Sequence, residues 1–385
     1  MASYDLAVFG NGFDLHFGCK TRYIDFYKII YMVRKKSNYD YFEDKIFNDL
    51  ENTRYLNLKN IKPTTKKLLN LFNLVSKHNF FVDYFVSYNE NFEEWNNFEE
   101  ELKNILKMFN QFFLDIKEGD YNVYVSENIV YIGLNELKNS SKYIFLFICS
   151  NENKYYTYDK KSNNLFFKRA FERGNKYFIK EKIKKYINEI PNFLLSELKQ
   201  FESMFNEYLN VIESQVKYND LNFLFKNLIT YNYTFLGENI FCRPTYHIHG
   251  KIKKTKKTDI IFGIDSSDDL IPSLKIFTKL NRRVANNTDI KKIDPLVETA
   301  KSIVIFGHSL DLADKDSLSF ILKNVMELDM LTIYYFNGNQ NEKEILANNL
   351  SEIIGKDNFF NLSTSNVLHF VPIPNNEIVR ELIKS

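Results

Sequence analysis

The sequence predicts an α/β fold with a doubly wound, mainly parallel sheet and a large helical insertion. The first observation is a set of short apolar segments without the polar–apolar alternation of a strand that has one face in water. Such segments are typical of strands that helices cover on both faces. The second observation is helical periodicity over long stretches between them. The segments are Leu6 to Gly10, Ile144 to Cys149, Ile303 to Gly307 and Leu331 to Phe336.

The same patterns predict further strands and the helices. Apolar side chains from Trp95 to Phe109 recur every three or four residues, which predicts an amphipathic helix. A second such helix is predicted from Phe193 to Val211. A strand at 368–373 ends among prolines and therefore suits an edge of the sheet. The remaining strand predictions are 228–233, 246–249 and 260–264.

These elements divide the chain into three parts. Residues 1–26 are predicted to begin a core of helices around the parallel sheet, and residues 228–385 to complete it. Residues 27–227 are predicted to form a mainly helical insertion that carries one core strand near 143–149.

The composition is that of a folded, water-soluble protein. The 385 residues are 44% hydrophobic and 26% charged, close to the average for globular domains. The net charge of +2 is too small to attract nucleic acid or an anionic membrane along the whole surface. No apolar run approaches the roughly 18 residues of a membrane span, and the N-terminus lacks the pattern of a secretion signal. We therefore expect a cytoplasmic protein without a membrane partner, for which nucleic acid is an improbable ligand.

The first motif with chemical meaning is Gly10-Asn11-Gly12-Phe13-Asp14, directly after the opening strand. Glycines at this place allow a tight turn and a close approach of the backbone to a phosphate. A full dinucleotide fingerprint would need a third glycine where Leu15 stands. Asp14 would repel a phosphate, so it either caps the following helix or binds a ribose hydroxyl. A plain turn between strand and helix is the alternative interpretation.

Two further motifs follow predicted strands. Asn232 lies where a strand ends, and its amide can both donate and accept a hydrogen bond. His247 and His249 are two residues apart and would face the same side if the strand continued that far. Together with Cys242 or a carboxylate they could bind a metal, but a fourth ligand is not visible, so no metal is expected. A general base at His249 is the favoured interpretation.

The motif Gly307-His308-Ser309 comes directly after another buried strand. Its backbone amides and hydroxyl can contact a nucleotide at the carboxyl edge of the sheet. The alternative is that Ser309 and the aspartates after it only stabilise the start of a helix.

Taken together, these motifs give the chain a family resemblance. In this order they resemble those of the AbiH family of phage abortive-infection proteins. The matching residues are Gly10 to His16, Gly18, Thr21, Tyr23, Asp25, Phe26, Trp95, Phe98, Glu99, Thr230 to Thr234, His247 to Gly250, Ile261 to Ile264 and Gly307 to Asp311.

The resemblance implies a function. AbiH proteins are in turn similar to the sirtuin-like group of Rossmann-like, NAD-binding folds, and several bacterial defence members of that group hydrolyse NAD. In those relatives a glycine loop, an asparagine after a strand and a histidine before a glycine line the nicotinamide–ribose site. The matching positions here are Gly10, Gly12, Asn232 and His249.

We therefore expect an antiphage effector whose substrate is NAD, cleaved at the bond between nicotinamide and ribose. The alternatives are a nucleotide-binding sensor without turnover and a metal-dependent nuclease. A phage-derived trigger and assembly into a homo-oligomer are also expected. The expected catalytic residues are Asn232 and His249, and the expected nucleotide-binding residues are Gly10, Asn11, Gly12, Phe13, Asp14, Gly307, His308 and Ser309.

Overall fold

The computed structural model describes most of the chain. The described residues are 4–36, 65–88, 98–118, 123–126, 129–133, 156–159, 164–167, 176–213, 225–254, 258–265, 270–285, 290–336 and 341–373. Trp95 and the predicted core strand near 143–149 lie outside them. Within these stretches, none of the helices combines the length and the apolar character that crossing a membrane requires.

Strands and helices alternate along the second half of the chain, and helices dominate the first. The strands are β1 (Tyr4–Phe9), β2 (Val123–Ser126), β3 (Ile129–Gly133), β4 (Tyr156–Asp159), β5 (Asn164–Phe167), β6 (Phe225–Thr230), β7 (Thr245–His247), β8 (Ser302–Phe306), β9 (Met330–Phe336) and β10 (Leu368–Ile373). The helices are α1 (Asn11–His16), α2 (Tyr23–Lys36), α3 (Thr65–Val75), α4 (Phe80–Tyr88), α5 (Phe98–Glu118), α6 (Lys176–Glu213), α7 (Leu236–Phe241), α8 (Lys279–Ala285), α9 (Ile290–Thr299), α10 (Lys315–Ile321), α11 (Glu342–Ile354) and α12 (Lys356–Thr364). Short 3₁₀ helices span Pro272–Phe277, Leu312–Asp314 and Val325–Glu327.

A six-stranded, all-parallel sheet forms the centre of the protein, in the order β10-β9-β8-β1-β6-β7. From β1 the chain adds β6 and β7 on one side and then returns to add β8, β9 and β10 on the other. The strand order therefore reverses between β1 and β8. Open α/β sheets bind their ligands outside the carboxyl ends of the strands at such a reversal.

Each strand of this sheet overlaps a segment predicted as a strand; β10 has the predicted ends, and the others differ at one end or both. The parallel α/β character predicted from the apolar runs is thereby confirmed. The sheet edge at β10 contains Pro372, whose missing N–H is tolerated because no further strand of the described residues pairs there. The strand predicted at 260–264 is wrong. That segment forms no strand and takes part only in an isolated bridge between Ile264 and Thr278.

Side chains of β1 enter the apolar core alternately on the two faces of the sheet. Leu6 and Val8 belong to a cluster packed by α9 to α12, whereas Ala7 and Phe9 belong to a cluster packed by α1 to α7. All four are at most 2% exposed. Burial on both faces is the reason that these strands are continuously apolar in sequence.

The region between β1 and β6 contains the predicted helices and an additional sheet. The helix predicted from Trp95 to Phe109 is α5, which begins at Phe98, and the helix predicted from Phe193 to Val211 is the second half of α6. Along α5 the side chains of Phe98, Leu102 and Phe109 are buried at helical spacing. Strands β2 to β5 form a four-stranded antiparallel sheet in the order β2-β3-β5-β4. Sequence patterns did not predict this sheet, because each of its strands spans only four or five residues.

The turn after β1 packs directly against the turn after β8. The Gly10 amide donates to the Phe306 carbonyl over 2.9 Å, and the Gly12 amide donates to the Gly307 carbonyl over 2.7 Å. A Cβ on Gly12 would lie 2.7 Å from the Gly307 oxygen and 2.8 Å from the Gly307 Cα. Both atoms belong to the backbone and cannot rotate away. Glycine at position 12 is therefore required by close contact between two main chains.

Gly12→Ala should lower the free energy of unfolding by about 1–3 kcal/mol, the usual cost of forcing extra atoms into a packed contact. Gly237→Ala is the matched control, because Gly237 also lies in a short helix but its added Cβ would meet the movable Leu228 Cδ2 at 3.1 Å. The control should change stability by less than about 1 kcal/mol, since alanine favours helix. Urea unfolding measures both. Equal stabilities of the two variants would contradict the required backbone contact.

Candidate functional site

A cavity of about 560 Å³ opens at the carboxyl ends of the parallel strands, beside the reversal of strand order. This volume lies within the usual range for small-molecule and cofactor sites. Segments after β1, β6, β7 and β8 meet in its wall, together with residues of α2, α5 and β9. The polar residues of the wall include Asn11, Asp14, Thr21, Arg22, Tyr23, Glu99, Tyr231, Asn232, Tyr233, Thr234, His249, His308, Ser309, Asp311, Asp314 and Glu342.

Asp14 and Asn232 form the centre of this wall. The Asn232 Nδ2 group donates to Asp14 Oδ1 over 2.8 Å, and the Thr234 hydroxyl donates to Asp14 Oδ2 over 2.7 Å. His247 Nδ1 donates to the backbone carbonyl of Asn232 over 2.8 Å. Asp14 is 1% exposed and Asn232 is 6% exposed. Side chain and main chain of Asn232 are therefore both held in place.

The Asn232 side-chain oxygen has no hydrogen-bond partner among the described residues, although it is buried. Its orientation is determined by the amide nitrogen, which must face the Asp14 carboxylate because only the nitrogen can donate. A buried acceptor without a donor costs about 1–3 kcal/mol. Because Asn232 lines the cavity, a ligand hydroxyl or a water molecule in the cavity can satisfy this oxygen.

Burial raises the pKa of Asp14 to about 7. The nearby Glu213 carboxylate acts in the same direction, and the hydrogen bonds from Thr234 and Asn232 oppose it. Burial likewise raises the pKa of Glu213 to about 7. Two carboxyl groups, Asp14 in the cavity wall and Glu213 near it, therefore change charge close to neutral pH.

His249 lines the cavity with both ring nitrogens engaged. Arg283 Nη2 donates to His249 Nδ1 over 3.3 Å, so that His249 Nε2 must carry the proton that it donates to Asp314 Oδ1 over 2.9 Å. Burial lowers the pKa of His249 to about 4, and Lys279 and Arg283 add to this lowering. The imidazole is therefore neutral and a weak base at neutral pH.

This geometry opposes the predicted role of His249 as a general base. To accept a proton at Nδ1, the ring would have to displace the Arg283 guanidinium and become a cation beside it. What the hydrogen bonds support is a positioning role, in which His249 fixes the Asp314 carboxylate.

His247 and His249 do not converge on one site. Strand β7 ends at His247, and His249 follows in a turn, so the alternation of a strand does not apply to the pair. Of the two, His249 is in the cavity wall, and His247 supports the main chain of Asn232 instead. Among the described residues, no group of three or more His, Cys, Asp or Glu side chains could hold a metal ion.

A buried cluster of charges surrounds Lys279, a residue that sequence analysis did not predict. Its Nζ atom donates to Glu99 Oε2 over 2.6 Å, to Asp314 Oδ1 over 2.7 Å and to the Ala313 carbonyl over 2.6 Å. Asp265 lies 3.9 Å from the same nitrogen. Lys279 is 1% exposed. The cluster joins α5 of the first half of the chain to α8 and the turn after β8.

The carboxylates of this cluster differ in acidity. Burial raises the pKa of Glu99 to about 8, although Lys279 opposes the shift. Burial alone would also raise the pKa of Asp314, but Lys279 and His249 hold it well below its usual range. Asp314 is therefore ionised at neutral pH. Glu99, with a pKa of about 8, changes its protonation state close to neutral pH.

The predicted nucleotide-binding residues after β1 separate into two groups. Asn11, Gly12 and Asp14 line the cavity. Phe13 does not: its ring is 1% exposed and stacks on Phe9 in the core, with centroids 4.3 Å apart. The Gly10 and Gly12 amides donate within the protein, so they are not available to a phosphate in this conformation. Asn11 is held by the Thr21 hydroxyl, which donates to Asn11 Oδ1 over 2.6 Å.

The predicted residues after β8 all lie in the cavity wall. Gly307 has a φ of +61°, which favours glycine. His308 Nδ1 accepts from the Leu310 amide over 2.9 Å, and its Nε2 is 3.7 Å from Asp314 Oδ2. His308 thus faces Asp314 together with His249.

The site also contains residues that the motifs did not assign. Tyr23 and Tyr233 line the cavity and share a hydrogen bond of 3.1 Å between their hydroxyl groups. Glu99 was visible in the sequence only as part of the block around Trp95 and Phe98, without a role. Lys279 stands in no recognisable motif, because its importance comes entirely from the carboxylates around it.

Comparison with models of protein families identifies a family for this chain. The model of the family described as "Bacteriophage abortive infection AbiH" matches residues 6–336. No curated protein and no solved structure matches the chain significantly. The matched range begins within β1, ends with β9 and includes every cavity residue named above except Glu342.

Asp14→Asn should change the dependence of stability on pH. Because the folded pKa of about 7 exceeds the usual value near 3.9, the folded protein binds more protons between these values, and Asp14 loses its stabilising contribution as pH rises through that window. We expect wild-type stability to fall relative to the variant by on the order of 3 kcal/mol from pH 4 to pH 8. Urea unfolding at a series of pH values measures this difference.

Asp329→Asn is the control for that measurement, since Asp329 is exposed and lies outside the cavity wall. Its unfolding curve should follow the wild-type pH dependence. Parallel curves for wild type and Asp14→Asn would contradict the assigned acidity of Asp14.

Proposed function

The chain belongs to the AbiH family of bacteriophage abortive-infection proteins, and we propose that it serves this role by hydrolysing NAD at the bond between nicotinamide and ribose. This hydrolysis would deplete the infected cell of NAD. The observation that carries the proposal is that Asn232 lines the cavity while its buried side-chain oxygen has no hydrogen-bond partner among the described residues.

The fold supports a nucleotide as the ligand. Counted along the chain, the six parallel strands stand in the order 3-2-1-4-5-6, which is the order of Rossmann-like dinucleotide-binding sheets. The cavity lies at the reversal in that order, where such sheets bind their ligands. Asn11, Asp14 and Ser309 offer polar groups on both sides of the reversal, in agreement with the expected nucleotide contacts.

Asn232 supplies an acceptor suited to a ribose hydroxyl or to the attacking water. In the reaction the C1′–N bond breaks, its electron pair stays with nicotinamide, and water bonds to C1′ of a ribose that passes through an oxocarbenium-like state. A fixed acceptor such as the Asn232 oxygen orients this water or the ribose without reorganisation during the reaction. Asp14 and Thr234 hold Asn232 in the required orientation.

A nucleotide-binding sensor without turnover is the second candidate. It is favoured by the state of His249, whose ring nitrogens are both engaged and whose pKa is lowered to about 4. Such a histidine helps to shape a binding site without taking up a proton. Stoichiometric binding of NAD without release of nicotinamide would select this function.

Asn232→Ala should lower the rate of nicotinamide release roughly a hundred- to a thousandfold, the usual effect of removing one positioned polar group from a reaction site. Asn227→Ala is the matched control, because Asn227 lies in β6, the strand that Asn232 follows, and is not among the residues of the cavity wall. Purified protein is incubated with NAD, with and without lysate of phage-infected bacteria to supply a trigger, and the products are separated.

Release of nicotinamide and ADP-ribose by the wild type and by Asn227→Ala, but not by Asn232→Ala, is the expected result. Equal release by all three proteins would reject Asn232 as the reaction site. If the protein binds NAD but releases no nicotinamide, with or without the lysate, the result would reject hydrolysis and support the sensor function. The oligomeric state and the trigger stay predictions that this assay does not address.

A further inference from the structure

The cavity needs a group that accepts a proton from the attacking water, and the candidates in its wall include His249, Asp314, Asp14 and Glu99. His249 is a weak base with both nitrogens engaged. Asp314 accepts from His249 and from Lys279, and its pKa is held well below the usual range, so it also accepts protons poorly. Asp14 uses both oxygens to hold Asn232 and Thr234. Glu99 is the fourth.

Glu99 has the position that the role requires. It stands in the first turn of α5, within the helical region that interrupts the core, and its side chain reaches the wall of the cavity. Tyr23 and Tyr233 line the same wall, and the charge of Glu99 contributes to raising the pKa values of both tyrosines. Tyr233 directly follows Asn232 in the chain. Glu99 and Asn232 therefore line the same cavity.

Lys279 keeps Glu99 in place and adjusts its charge. The ammonium group donates to Glu99 over 2.6 Å and to Asp314 over 2.7 Å, with Asp265 at 3.9 Å. One cation thus faces three carboxylates. The resulting excess of negative charge, together with burial, makes a shared proton favourable, and Glu99 is the carboxyl group that holds it.

We propose that Glu99 is a catalytic residue of this site, the general base that takes the proton of the attacking water. The proposal rests on the proposed NAD hydrolysis. As the water oxygen bonds to C1′ and the C1′–N bond breaks, nicotinamide leaves as a neutral molecule and one water proton passes to the Glu99 carboxylate. ADP-ribose is the second product. The insertion therefore contributes directly to the chemistry of the core.

The proposal predicts a particular pH dependence. Glu99 accepts a proton only when ionised, and its pKa is raised to about 8 by burial, by Asp314 and by Asp265, against Lys279. The rate of nicotinamide release should rise with pH up to about 8 and then level off. The other charged or titratable groups facing this region include His249, His308, Arg283, Tyr23, Tyr231 and Tyr233, and burial keeps the three tyrosines protonated by raising their pKa values.

The test compares Glu99→Gln and Glu99→Ala with Glu100→Gln, whose exposed side chain belongs to the same helical turn. In water, both Glu99 variants should release nicotinamide roughly a hundred- to ten-thousandfold more slowly, and the rise with pH should disappear. Sodium azide is then added. The azide anion bonds to C1′ without giving up a proton, so it should restore nicotinamide release in the Glu99 variants and yield azido-ADP-ribose.

Each outcome separates this inference from the proposed function. Rescue by azide in the Glu99 variants, with Glu100→Gln as active as wild type and Asn232→Ala inactive in azide, supports the general base. Unchanged release and pH dependence in Glu99→Gln, with Asn232→Ala inactive, would overturn the role of Glu99 and leave NAD hydrolysis intact. Slow release without rescue by azide would show that Glu99 only supports the structure. No release by wild type would overturn both.

Discussion

The contact between two glycine-containing turns is the constraint on which the site depends. Gly12 donates to Gly307 with the two main chains in direct contact, and side chains on either glycine would separate them. This contact joins the ends of β1 and β8, the two strands between which the sheet reverses its order. It also leaves the first turn of α1 beside the segment after β6, where Asp14 reaches Asn232 and Thr234. The glycines thus allow the main chains of the two turns to come into contact. Side chains that follow them in the sequence supply polar groups of the cavity.

The buried charges around Lys279 are better explained by function than by stability. Taking an ammonium group and carboxylates out of water costs several kcal/mol per ion, and mutual attraction often does no more than offset that cost. Here Lys279 makes three hydrogen bonds below 2.8 Å, which satisfies the cation but leaves more carboxylates than cations. An apolar residue in place of each charge would pack the same volume without this cost. Perturbed acidities in a cleft are characteristic of functional sites, and the cluster borders the cavity.

Sequence patterns predicted the strands of the core sheet well because burial on both faces leaves a clear mark on composition. The segments around Leu6, Ile303 and Leu331 became β1, β8 and β9. The strand predicted at 260–264 was wrong because a run of apolar residues indicates burial but not pairing with a strand. Ile261 and Phe262 are buried in the core, but among the described residues their segment forms only the isolated bridge at Ile264. Among the site residues, Asn232 and Asp14 were recognised as polar groups at strand ends, and the role of Phe13 was misjudged because its ring turns into the core.

The sequence by itself determined the class of fold, the family and the positions where polar residues follow buried strands, because these depend on local patterns and on the order of motifs. Tertiary structure alone decided the chemistry of those residues. Whether His249 is a base depends on Arg283 and Asp314, which are 34 and 65 positions away in the chain. Whether Glu99 titrates near neutral pH depends on Lys279, 180 positions away. The acidity of a group is determined by burial and by neighbouring charges, and only folding brings these neighbours together.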